Sequence, residues 1–265
     1  MCLLLLGLRA HPLFPLVVAA NRDERLDRPS APAGFRDGLL AGRDLVSGGA
    51  WTGVTREGRF AAVTNVRDPR PFDPEAPSRG ALVVDFLSGR DAPLAHLRRL
   101  AADGVRRNGY NLVAGAGGRL AWLSNAHGSP RELVDGVHAV SNALLDTPWP
   151  KSVRASSRLT RLLERGAELD PEELFALLAD REEAPDAELP DTGVGLEAER
   201  ALSPPFVATP RYGTRGSTLL LVARSGRATF LERLFDDRYR AVGTRRFEVD
   251  FPGWNGLGRA STPAS

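Results

Sequence analysis

The chain has 265 residues, of which 42% are hydrophobic and 26% charged, the balance of a soluble globular protein. Its net charge is +2, and its arginines interleave with acids, as in Arg22-Asp23-Glu24-Arg25-Leu26-Asp27-Arg28, so there is no basic block of the kind nucleic acid requires. The only cysteine, Cys2, excludes an internal disulfide and every zinc site built on paired cysteines, and no stretch reaches the roughly twenty apolar residues of a membrane helix.

A cytoplasmic protein with no nucleic-acid partner and no membrane span is therefore expected. Length alone allows one large domain or two small ones. Without an internal repeat or a linker, residues 1–251 read as one domain and 252–265 as a flexible tail. Lys151 is the only lysine, a usage that points to a GC-rich genome.

The first element is an apolar run over residues 2–8, followed by Arg9-Ala10-His11-Pro12 and a second run over 16–20. With no positive segment before it, and with Arg9 and His11 soon after, the first run reads as a strand and not a targeting signal. The two runs predict adjacent strands buried on both faces, the second ending at Asn21-Arg22-Asp23-Glu24. Residues 25–50, rich in Arg, Pro, Gly and Asp, predict a long surface loop with brief extended pieces. A bend at Ser47-Gly48-Gly49-Ala50-Trp51 leads into a hairpin over 51–55 and 59–65, ending at Asn65.

Residues 67–77 hold four prolines and predict loop. Ser78 is a candidate N-cap for a helix to about Leu87, stopped by Gly89. A second helix is expected over 93–102, with Leu94, Leu97 and Leu100 on one stripe. Strands follow over 110–114, 120–124 and 137–141. A second helix pair is expected over 153–165 and 171–178, the latter capped by Asp170 with Pro171 at its first position. Residues 181–205 predict an acidic, proline-rich loop or lid, and 219–223 with 228–234 a last hairpin. Strands grouped apart from helix pairs argue against a doubly wound fold and for an α+β fold, two antiparallel sheets face to face with a helix pair outside each.

Cys2 is the main chemical candidate. Removal of Met1 would place a free α-amine on the residue that bears the thiol, a base and a nucleophile together. An α-amine titrates at roughly 7.7–8.0, close to what a general base needs. Arg22, if its strand lies beside the first, favours the thiolate. Asp23 could orient the α-ammonium, but Arg22 and Glu24 share one face of a strand while Asn21 and Asp23 share the other, so the choice between Asp23 and Glu24 stays open. Asn65 and Asn142 each carry an amide that can donate to an oxyanion. Arg215, in Tyr212-Gly213-Thr214-Arg215-Gly216-Ser217-Thr218, reads as a carboxylate binder, a buttress or a surface arginine in a glycine turn. His11, His96, His127 and His138 show no ligand spacing, and Gly115-Ala116-Gly117-Gly118 has no following helix and reads as a turn.

Met1-Cys2, Ala20-Asn21-Arg22-Asp23-Glu24, Gly49-Ala50-Trp51-Thr52-Gly53, Val63-Thr64-Asn65-Val66-Arg67, Val140-Ser141-Asn142 with Thr147-Pro148-Trp149-Pro150-Lys151, and Tyr212-Gly213-Thr214-Arg215 together resemble the NRDE-motif, or transport-and-Golgi-organisation, family. The resemblance implies an N-terminal-nucleophile (Ntn) hydrolase fold, a four-layer αββα sandwich. It extends to the penicillin V acylase and bile salt hydrolase group. That likeness implies Cys2 as nucleophile and base, Arg22 and Asp23 as its partners, Asn142 as oxyanion donor and Arg215 as a buttress; Asn65, Trp51 and Glu24 are expected on the substrate side. The acylases separate the Arg from the Asp by two residues, whereas Arg22 and Asp23 are adjacent. The favoured expectation is hydrolysis of a non-peptide acyl-amide through a Cys2 thioester, with no cofactor or metal. The alternative is a non-catalytic scaffold that binds haem or an acyl-lipid or acyl-CoA and serves in its trafficking.

Overall fold

The computed structural model describes residues 3–67, 72–166 and 168–254. Cys2, the nucleophile expected from the sequence, lies outside the described residues.

In chain order the elements are β1 (Leu3–Leu8), β2 (Leu16–Arg25), β3 (Ser30–Arg36), β4 (Leu39–Asp44), β5 (Thr52–Thr55), β6 (Phe60–Asn65), α1 (Arg79–Ser88), α2 (Pro93–Ala101), β7 (Tyr110–Ala116), β8 (Arg119–Ser124), β9 (Arg131–Glu132), β10 (Gly136–Val140), α3 (Pro150–Glu164), α4 (Pro171–Leu178), α5 (Leu196–Ala201), β11 (Tyr212–Val222), β12 (Arg227–Phe235) and β13 (Ala241–Asp250). The strands form two antiparallel sheets, one in the order β10-β1-β2-β11-β12-β13 and the other running β3 to β9 in sequence order.

Alternation along the strands builds three apolar layers. Leu4 and Leu6 of β1, Val18 and Ala20 of β2 and Phe230 of β12 face the second sheet, meeting Val54, Phe60 and Trp122. Leu3, Leu5, Val17 and Ala19 face the other way, onto Leu159 and Leu163 of α3 and Leu174 and Leu178 of α4. On the far side, Ala61, Val63 and Leu112 pack under Leu82 and Phe86 of α1 and Leu97 of α2. The expected four-layer αββα order results, and the uninterrupted apolar runs of β1 and β2 follow from burial on both faces.

The caps of two helices behave as the sequence indicates. Ser78 Oγ accepts from Gly80 N at 3.2 Å, and Asp170 Oδ1 accepts from Glu172 N at 2.9 Å. Asn21-Arg22-Asp23-Glu24 forms the end of β2 as expected, with one further strand residue, Arg25. Several boundaries differ. Residues 25–50 contain the β3–β4 hairpin, turned at Asp37 (φ 49°) and Gly38 (φ 80°), a two-residue connection with both φ positive. Helix α3 begins at Pro150, three residues before its expected start, and α5 interrupts the expected 181–205 loop. Strand β13 was not anticipated; most of its residues are exposed, so burial leaves no periodic signal. The packed chain continues into the expected tail: Trp254 is fully buried, and its Nε1 donates to Gly58 O at 3.0 Å.

Candidate functional site

Among the described residues, β2 pairs with β1 as far as Leu3↔Asn21 and with β11 as far as Arg25↔Tyr212. Asn21 is wholly occupied: Nδ2 donates to Leu178 O and Pro205 O, both at 2.8 Å, and Oδ1 accepts from Ser217 Oγ at 2.6 Å. Its role is to tie β2 to the end of α4 and to the chain before β11.

Arg22 continues the face of Val18 and Ala20 into the gap between the sheets. Its guanidinium lies 4.4 Å over the Trp51 ring, and Nη2 is 3.6 Å from Glu24 Oε2. Burial lowers its pKa; Glu24 and Asp44 oppose that shift, and Arg28 and Arg215 add to it. An arginine remains charged even so. The close seat of Trp51 depends on Gly42, where a Cβ would come within 2.2 Å of Trp51 Cζ2.

Asp23 points the opposite way, is 3% exposed, and accepts from Thr214 Oγ1 at 2.7 Å. Thr214 is held in turn by Val207, with Val207 N donating to its Oγ1 at 3.0 Å. Directly after Thr214 the β2–β11 register shifts, leaving Arg215 unpaired with β2 in a bulge. A bulge re-aims a side chain, so Arg215 is a strand residue and not one in a glycine turn. Its Nε and Nη1, with Nη1 of Arg22, are buried donors without a hydrogen-bond partner among the described residues.

The second sheet supplies the opposite wall. Thr64 Oγ1 donates to Ser141 O at 2.7 Å, and Asn111 Nδ2 donates to Thr64 Oγ1 at 3.0 Å and to Ala143 O at 2.9 Å. Asn111 Oδ1 accepts from Trp122 Nε1 at 3.2 Å. This buried network fixes the loop after β10 on which Asn142 stands. Asn142 Nδ2 donates to Asn65 O at 3.2 Å, and Arg67 N donates to Asn142 O at 2.7 Å.

Between the walls lies a cleft of about 500 Å³, lined by Asp23, Asn65 and Asn142 and by Arg67, Lys151 and Tyr212, with Val66, Ala198, Ala201 and Leu202 among its apolar lining. A neighbouring cleft of about 380 Å³ shares Val66, Phe72 and Arg79 with it but holds none of the residues expected from the sequence. Three expected site residues therefore meet at one cleft. Arg22 and Arg215 stand close enough for one charge to act on the other. Trp51 and Glu24 are not in the cleft lining: Trp51 stacks on Arg22, and Glu24 faces Arg22 and Arg28.

Sequence reading did not single out Asn111 or Glu199, and it gave Thr214 and Lys151 no role. Glu199, on α5, pairs with Arg67 at 2.5 Å and accepts from Thr192 N at 2.9 Å, closing the cleft's rim. The Thr147–Lys151 motif pointed to Lys151 without assigning it a role.

Residues 1–237 match the family model described as Transport and Golgi organisation 2. The chain belongs to this family. Similar proteins include the Transport and Golgi organization protein 2 homolog of Bos taurus, 34% identical over 256 residues (88% of this chain, 92% of the relative). The Homo sapiens homolog is 33% identical over 261 residues, 90% of this chain and 94% of the relative. Penicillin V acylase from Agrobacterium tumefaciens has a similar solved structure, with TM-score 0.52 and 14% identity over 97% of this chain and 89% of that one. A conjugated bile acid hydrolase from Clostridium perfringens gives TM-score 0.51 at 9% identity, over 94% and 92% of the two chains. At such identities the likeness shows the fold, which this member of the Transport and Golgi organisation 2 family shares with Ntn hydrolases. None of its four histidines lines the cleft. Among the described residues no group of three or more His, Cys, Asp or Glu is placed to hold a metal, and no helix is long and apolar enough to cross a membrane.

Proposed function

We propose that the protein is an Ntn amidohydrolase that cleaves a non-peptide acyl-amide through a thioester at Cys2. The supporting observation is the set of three buried, unpartnered guanidinium donors on Arg22 and Arg215, beside the strand that Cys2 precedes. A buried donor without an acceptor is costly, and Glu24, 3.6 Å from Arg22 Nη2, leaves these three donors unanswered, so a further anion is favoured here. The peptide bond keeps the Cα atoms of Cys2 and Leu3 about 3.8 Å apart, and Leu3 pairs with Asn21, the neighbour of Arg22. A Cys2 thiolate meets the requirement.

With Met1 removed, the α-amine takes the thiol proton and the thiolate attacks the amide carbonyl carbon. Asn142 Nδ2 has two hydrogens; one goes to Asn65 O, and among the described residues no acceptor takes the other, which is the donor for the oxyanion. The C–N bond then breaks, and the departing amine takes the proton held by the α-amine. Water adds to the thioester with the α-amine as base, releasing the acid and restoring the thiol. Asp23, in the cleft, is assigned to the α-ammonium, since Glu24 lies on the Arg22 side of the strand and faces Arg22 and Arg28.

The apolar lining Val66, Ala198, Ala201 and Leu202 favours an acyl chain, and it also suits a second reading, binding of an acyl-lipid without turnover. Haem has less support, because no histidine lines the cleft. Intact-mass spectrometry after treatment with an acyl electrophile separates the readings. Hydrolysis predicts loss of Met1, a single adduct on Cys2, and an acyl-amide panel turned over by wild type and untouched by Cys2→Ala. Active protein that retains Met1 would rule out the mechanism. Saturable acyl-lipid binding that survives Cys2→Ala, with no turnover by wild type, would establish the second reading.

A further inference from the structure

Lys151 stands second in α3 and is 3% exposed, and no acid in the first helical turn compensates it. The helix macrodipole makes this a poor place for a cation. A chain that uses arginine for its other 34 Lys/Arg positions keeps a lysine here. Its Nζ reaches Asn142 Oδ1 at 3.3 Å and Leu202 O at 3.2 Å. The ammonium therefore joins three segments: the start of α3, the loop after β10, and the turn that ends α5.

We infer that Lys151 is a positioning residue that sets which way the Asn142 amide faces; this rests on the reading of Asn142 as oxyanion donor. An ammonium only donates, so it must meet Oδ1 and not Nδ2. At the other end a backbone carbonyl, Asn65 O, only accepts, so it must meet Nδ2. Turning the amide over would set donor against donor at Lys151 and acceptor against acceptor at Asn65. With both ends held, the remaining Nδ2 hydrogen stays directed to the cleft. The positive charge on the oxygen side also draws electron density from the amide and strengthens Nδ2 as a donor. A guanidinium is planar and bulkier, and it cannot present one compact tetrahedral head to both Oδ1 and Leu202 O.

The test is a double-mutant cycle with a side-chain readout. Lys151→Met keeps a stem of similar length and removes the charge. It is expected to lower kcat roughly 10- to 100-fold, the order of loss for a misaligned catalytic group, with KM changed by less than about twofold. In an Asn142→Ala background the same change should cost nothing further, because the two residues act as one unit. An equal loss in both backgrounds would make Lys151 a structural tie and overturn the proposal. The second readout needs no turnover. The Asn142 side-chain amide resonance, assigned by ¹⁵N labelling, should move and broaden in Lys151→Met; an unmoved resonance also overturns the proposal. If wild type hydrolyses no amide, the catalytic reading fails while this resonance still decides what Lys151 does. Should Lys151→Met fail to fold, Lys151→Gln, which retains a neutral donor, carries the same cycle and should lose less kcat.

Discussion

The two sides of the site, one on each sheet, differ in how completely their buried polar groups are paired. On the second sheet, Trp122, Asn111, Thr64 and the loop after β10 use their polar groups on one another. On the first sheet, Arg22 and Arg215 hold three buried donors with no hydrogen-bond partner among the described residues. A saturated buried network rigidifies; an unsaturated one marks a place where stability has been given up for something that binds there. Under the proposed mechanism, the second-sheet side holds geometry and the first-sheet side meets the reacting thiolate.

Arg22→Met should break this comparison most visibly. Removing it takes away an anion partner, so acylation of Cys2 should fall by about 10²–10³-fold, the order seen when one preorganised donor is lost. Stability should hold or rise in thermal denaturation, because an incompletely paired buried charge is replaced by an apolar chain of similar length. A marked loss of stability would mean that Arg22 is structural. Asn111→Leu probes the other wall and should show the opposite pattern. It leaves Trp122 Nε1 and Ala143 O without a partner and should cost about 2–6 kcal/mol, at roughly 1–3 kcal/mol for each orphaned group, read as a lower denaturant midpoint. Protein that remains folded should lose less Cys2 acylation than Arg22→Met does, since Asn111 acts on the site only through the loop that carries Asn142.

The smallest effect expected is one of pH. His138 Nδ1 meets Asp146 Oδ2 at 2.8 Å and Nε2 meets Val134 O at 2.9 Å, so both ring nitrogens face acceptors. The Asp146 contact raises the His138 pKa, burial opposes it, and the Val134 carbonyl adds to the rise. A raised folded pKa gives stability that is complete below the unfolded value of about 6.5 and fades as pH climbs through the folded one. His138→Gln should flatten the pH dependence of the midpoint over that window. An unchanged slope would show that the pair contributes nothing.

The apolar runs of β1 and β2 and the caps at Ser78 and Asp170 were legible because local chemistry decides them. Asp37-Gly38 was an available hairpin signal, obscured by the prolines and arginines around it. Arg215 could be named from sequence but not aimed, because a bulge is a property of register between two strands. Asn111, Lys151 and Glu199 act through partners 32, 9 and 132 residues away. No local pattern reports such meetings, which exist only once the sheets have packed.

Strand β3 ends its sheet, and Pro32 stands at the irregularity where its register with β4 slips between Ala31 and Gly34. Proline offers no amide hydrogen, and Ala33 N and O are already taken by Glu232 Oε2 at 2.6 Å and Arg245 Nη1 at 3.0 Å. A foreign strand approaching this border finds a kinked template with its central bonds engaged. The same irregularity that fastens one sheet to the other therefore also guards the molecule against self-templated fibre growth.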